Sequence, residues 1–151
     1  MFQNRRMPFY MFGDTIYLWS IPEKDWVEFH SSYVQQLSWN VMLNADKEVT
    51  SDVIDKATED LINQNEPLFM AKIENLTSFQ LNMIRAICSG VHSEFTSEKV
   101  YSEWNIGSKS NISRIRTALI EKEIIEKRAE CLYMADPVFK FWFIKSWPTK
   151  L

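Results

Sequence analysis

The residues with chemistry to offer crowd into one stretch, IGSKSNISRIRTALIEKEIIEK at positions 106–127, which interleaves cations, hydroxyls and aliphatics. Ile112, Ile115 and Leu119 recur at the spacing of a single helix face. At ~100° per residue this turns Ser110, Arg114 and Thr117 outward, with Lys109 at the amino end and Ser113 flanking. A recognition helix offers such a face to a DNA groove. Lys109 and the first-turn N–H groups can hold a phosphate, Arg114 can fork onto guanine, and Ser110, Ser113 and Thr117 can add polar contacts. Lys127 and Arg128 follow where a wing would reach the backbone. Against this, Glu121 shares the outward face and Glu123 and Glu126 stand close by. With about four phosphate contacts, the expected affinity for double-stranded DNA is weak and salt-sensitive. Arg116 falls about 40° from the core direction on the same wheel. It reads as a packing residue, with Asp136 as a candidate partner.

Other chemistries find no foothold. His30 and His92 lie 62 positions apart and neither Cys88 nor Cys131 stands in a CxxC pair, so no metal site is expected. His30 reads as a helix-entry residue and His92, after Gly90-Val91, as a solvated loop residue. No serine lies in GxSxG and neither cysteine has an evident histidine partner, so no catalytic residue is expected. Arg5 and Arg6 offer the fork geometry that binds anions, but they read as residues of a solvated chain end. Two isolated cysteines suit reduced thiols in the cytoplasm.

Composition sets the frame for these residues. The 151-residue chain is 46% hydrophobic and 25% charged, with three Gly and five Pro, which favours long helices over a turn-dense β protein. No run approaches a membrane span or a signal-peptide core, so a soluble protein with no membrane partner is expected. Charge is uneven. Residues 1–75 hold six Lys and Arg against twelve Asp and Glu, and residues 76–151 hold eleven against eight. The carboxyl half is thus compatible with nucleic acid without being strongly basic.

The elements that must position the polar face follow from periodicity and caps. TIYLW at 15–19 reads as a short strand without a nearby partner, and Pro22 with Glu23 and Asp25 starts a short helix to Phe29. From His30, Val34, Leu37 and Val41 form a helical stripe with Tyr33 and Leu43 beside it. Thr50 or Ser51 caps the next helix, with Val53, Ile54, Ala57 and Leu61 buried and Pro67 marking its end or a kink. Thr77 and Gln80 form a capping box ahead of Leu81, Ile84, Ile87 and Cys88, and Gly90 stops that helix. Thr96 or Ser97 caps a short helix, Gly107 turns the chain, and Ser108 caps the helix of the opening stretch. IIEKR and CLYMAD around Ala129-Glu130 read as a hairpin, and Asp136-Pro137 starts an aromatic helix. Three helices and a hairpin in this order are the winged helix-turn-helix plan. The expected fold is mainly α, in the α+β sense: a residual strand and helical lid subdomain over 1–75, then a winged helix domain with its aromatic carboxyl-terminal helix over 76–151. Phe139, Phe141, Trp142, Phe143 and Trp147 are too dense for one side of a short helix, so lid helices, another protein or a second copy of the chain must cover part of them.

In this order the segments resemble the archaeal-type P-loop ATPases of the STAND group, which are AAA+-like. PFYMFGDTIYL looks like the closing strand of their nucleotide-binding core, IPEKDWVEF like the first lid helix, and HSSYVQQLSWNV like the lid motif His-Pro-x-Tyr-x-x-Gln-x-Leu. LTSFQLNMIRAI, GSKSNISRIRTALIEKEII and YMADPVFKFWF look like the terminal winged helix. The resemblance implies a place near the nucleotide for His30. The sequence departs from the pattern in three ways: it lacks any GxxxxGK[ST] or strand-borne acidic pair, has Ser31 where the family has Pro, and misses a stretch before His30. A truncated carboxyl-terminal fragment with an internal deletion is therefore expected. It would be non-enzymatic, with no cofactor of its own, and would act as a binding or regulatory module through protein contacts or winged-helix DNA binding. The alternative is a lid that completes a separately encoded ATPase core in trans, where ATP and magnesium would enter with that core.

Overall fold

A computed structural model describes residues 8–11, 14–17, 31–45 and 49–147. The segment read as a first lid helix, the lid histidine His30 and the Arg5-Arg6 pair lie outside the described residues. Two compact units are present, Met1–Gln64 and Asn65–Leu151.

In the amino-terminal unit, β1 (Pro8–Met11) pairs antiparallel with β2 (Asp14–Tyr17), Phe9 opposite Ile16. The strand read as lacking a neighbour has one directly before it. Two residues separate the strands, the length of a tight hairpin connection. Helix α1 (Ser31–Asn44) buries Leu37 and Val41 as its spacing predicts, but Leu43 is exposed. Asn40 is buried and polar; its Nδ2 donates to Ala57 O at 3.4 Å and its Oδ1 accepts from Gln64 Nε2 at 3.4 Å, so its amide is not left unsatisfied.

Helix α2 spans Ser51–Glu74 and continues past Pro67. Of the two readings of Pro67, the end of the helix does not occur. Proline removes one N–H and crowds the preceding turn at a cost of about 3 kcal/mol, and burial beyond it offsets that cost. Phe69 and Ile73, two and six residues later, are 2% and 6% exposed. The units meet at Gln64–Asn65, within α2, so its carboxyl half belongs with the second unit.

The second unit has the expected winged-helix order. Helix α3 (Ser78–Cys88) opens with a full capping box: Thr77 Oγ1 accepts from Gln80 N at 3.3 Å and Gln80 Oε1 accepts from Thr77 N at 2.8 Å. Its buried face is Met83, Ile84, Ala86 and Ile87, whereas Leu81 and Cys88 are half-buried. Ser97 rather than Thr96 caps α4 (Glu98–Glu103). Helix α5 (Lys109–Glu121) follows, then β3 (Ile125–Arg128) antiparallel to β4 (Cys131–Met134), and α6 (Pro137–Ser146). Asp136 Oδ1 accepts from Phe139 N at 2.9 Å to cap α6, and its carboxylate also faces Lys72 Nζ at 3.8 Å.

The aromatic helix is covered from within this unit. Phe139, Trp142 and Phe143 are essentially fully buried. Phe69 meets Phe139 edge-on at 5.5 Å and Trp142 at 5.4 Å, and Trp142 Nε1 donates to Glu66 Oε1 at 3.4 Å. The carboxyl half of α2 is therefore the cover. These three side chains need neither a second copy nor another protein to leave water.

Candidate nucleic-acid interface

Helix α5 is set by the turn in front of it. Between α4 and α5 the backbone enters the left-handed region twice, at Asn105 (φ 49°) and Gly107 (φ 97°), on either side of the fully buried Ile106. Glycine suits the second position because its φ of 97° is one that side chains disfavour, while the Phe79 ring, 3.5 Å from where a Cβ would stand, is at ordinary contact distance. Asn82 Nδ2 donates to Asn105 O at 2.9 Å, and Arg85 Nη1 donates to Asn82 Oδ1 at 2.9 Å. Arg85 in turn lies over the Trp147 ring, 5.8 Å from its centroid. These α3 residues fix the entry to α5 and were not singled out by sequence. Asn105-x-Gly107 was the available signal, since both residue types tolerate left-handed backbone.

Helix α5 buries Ile112, Ile115 and Leu119, as its period requires, against α3 and β3. Lys109, Ser110, Ser113, Arg114 and Thr117 are all exposed, with Asn111 beside them. Arg116 is half-buried. From Lys109 to Thr117 there are three cations and no acid. Among the described residues neither Lys109 nor Arg114 makes an ion pair. Ser108 occupies the N-cap position, but its hydroxyl meets Ser110 Oγ at 2.9 Å and not a backbone N–H. The expected side-chain cap is thus missing, because the two hydroxyls satisfy each other.

The wing differs from the helix. Lys127 and Arg128 are exposed, but Lys127 Nζ lies 3.0 Å from Glu130 Oε1, and the Arg128 guanidinium pairs with Glu126. Arg128 also sits over the Tyr133 ring at 5.3 Å. Tyr133 stacks on His92 at 4.5 Å. His92 is not the free loop residue its surroundings predict. Its carbonyl accepts from Leu132 N at 2.8 Å and its Nδ1 donates to Leu132 O at 2.8 Å, so it holds the edge of β4 as a third strand would. Because a carbonyl oxygen can only accept, the proton is on Nδ1.

Cys88 and Cys131 are free, half-buried thiols. Burial pushes the Cys88 thiol up from 9.0 to about 12, with Lys140 pulling weakly the other way. Among the described residues, no three His, Cys, Asp or Glu side chains gather as a metal site requires. No described helix is long and apolar enough to cross a membrane.

A family model described as a probable winged helix domain matches residues 67–145, just over half of the chain. The chain belongs to this family. The matched region begins at Pro67, inside α2, and ends in α6 at Lys145, so it includes the α2 turns that cover the aromatic helix. Neither a search of curated proteins nor one of solved structures found a match.

Proposed function

We propose that this winged helix protein is a non-catalytic binding module that contacts double-stranded DNA through α5. The acid-free exposed face from Lys109 to Thr117 carries this reading. Two exposed cations there, Lys109 and Arg114, supply the salt-dependent attraction to phosphate, while Ser110, Asn111, Ser113 and Thr117 are short enough to let the helix enter a major groove. Arg114, midway along the face, is the residue placed to fork onto guanine. Glu121 limits the face at its carboxyl end. The test is fluorescence anisotropy of a labelled duplex at low salt. The chain binds, and Lys109→Ala with Arg114→Ala weakens binding roughly tenfold or more, since a bidentate base contact is worth about 1–3 kcal/mol. Anisotropy that stays flat with the unaltered protein defeats the proposal.

The resemblance to STAND-group ATPases supports a second reading in which the module derives from the carboxyl end of such an enzyme. In its enzymatic form, the chain serves as lid to a separately encoded core, with His30 near the nucleotide. Mixing with such a core then raises phosphate release from ATP, and no rise at saturating protein discards it.

A further inference from the structure

The wing is electrically silent. From Ile125 to Met134 it holds two cations, Lys127 and Arg128, and two acids, Glu126 and Glu130. Each cation faces one of those acids. Arg128 is restrained further. Glu126 stands opposite Tyr133 in the strand register, so both lie on the face of the hairpin that Arg128 shares, and the guanidinium is held between the carboxylate and the ring. His92, bonded twice to Leu132, backs the Tyr133 ring.

A cation that already faces a carboxylate releases little counterion when a phosphate arrives. The phosphate must also approach to within a few ångströms of that carboxylate, where like charges repel. The exposed pairs are individually weak, so it is the local charge balance, and not the strength of either bridge, that withholds the wing. On α5 no such acid intervenes before Glu121.

Resting on the reading of α5 as a DNA-contacting helix, we propose that Glu126 and Glu130 set the affinity of this interface by neutralising the wing. The domain engages a duplex through one helix, and Lys127 and Arg128 contribute little until their carboxylates are removed. Wings that grip the backbone need uncompensated cations; this one is built with its own counter-charges.

The experiment measures binding of the full chain to a labelled duplex of about 20 base pairs over a salt series, since each phosphate contact adds about 0.9 to the slope of log affinity against log salt. Circular dichroism confirms that each variant is folded. Glu126→Gln with Glu130→Gln steepens the slope by about 1 to 2 and tightens low-salt binding roughly tenfold. Lys127→Ala with Arg128→Ala leaves the slope where it was. Glu74→Gln, an acid outside the wing, also leaves it. An unchanged slope in the double Gln variant, an equal steepening by Glu74→Gln, or a flattening by about 2 in the double Ala variant overturns the proposal. If the unaltered chain binds, loses binding with Lys109→Ala and Arg114→Ala, and ignores the Gln changes, only the wing proposal falls. If the unaltered chain does not bind, the α5 reading falls and takes the wing proposal with it.

Discussion

Helices α5 and α6 flank the same hairpin and use their surfaces in opposite ways. α6 buries Pro137, Val138, Phe139, Trp142 and Phe143 within ten residues, while α5 buries Ile112, Ile115 and Leu119 within thirteen. The first is enclosed by Phe69 and its own aromatic neighbours. The second keeps an uninterrupted polar strip in water. One small domain thus separates a helix that is largely buried from a helix whose outer face is exposed. Substitutions should divide the same way: changes in α6 act on stability, and changes on the outer face of α5 act on binding.

The largest effect is expected from Phe139→Ala. Removing a fully buried ring that touches Phe69, Trp142 and Phe143 leaves a cavity, at a cost of about 3–5 kcal/mol. Denaturant unfolding measures it, and a loss below about 1 kcal/mol would show that α6 does not hold the core as described. Alkaline pH should come next, acting through α3, which packs against both helices. The folded Cys88 thiol has its pKa raised from 9.0 to about 12, so the folded state holds this proton more tightly than the unfolded chain. The stabilisation is complete below pH 9.0 and is lost progressively as pH rises toward about 12. Melting temperature should therefore fall over that window, and Cys88→Ala should flatten this part of the fall; equal slopes in both proteins would refute the assignment.

Smaller effects sharpen the contrast. Asp136→Ala removes the cap of α6 and its contact with Lys72, costing about 1 kcal/mol by thermal unfolding. Lys109→Ala with Arg114→Ala should change stability by no more than about 0.5 kcal/mol while weakening DNA binding. If that pair destabilises as much as Phe139→Ala, the outer face of α5 is structural and the division between the helices fails.

Much of the winged helix was legible because its signals are local. The Thr77–Gln80 capping box, the Asp136-Pro137 start and the Ile112, Ile115, Leu119 stripe each act within one or two turns of backbone, and each stands where its residues put it. Pro67 was misleading for the same reason. A local rule ends or kinks the helix there, but the helix continues, and Phe69, buried farther along, packs on Phe139 some 70 positions away. The candidate interface shows the same pattern. The outward face of α5 follows from periodicity, whereas the pairing of Lys127 and Arg128 and the tie from His92 to Leu132 depend on how the hairpin folds.

By itself, the sequence determined the helix order, the caps, the hairpin and the acid-free strip from Lys109 to Thr117, because residue type and spacing act directly on neighbouring backbone. Only the tertiary structure decided that α2 continues past Pro67 to cover the aromatic helix, that Asn82 secures the entry to α5, and that the wing cations are already paired. Those outcomes turn on distances between side chains that folding brings together, and neither spacing nor composition encodes a distance.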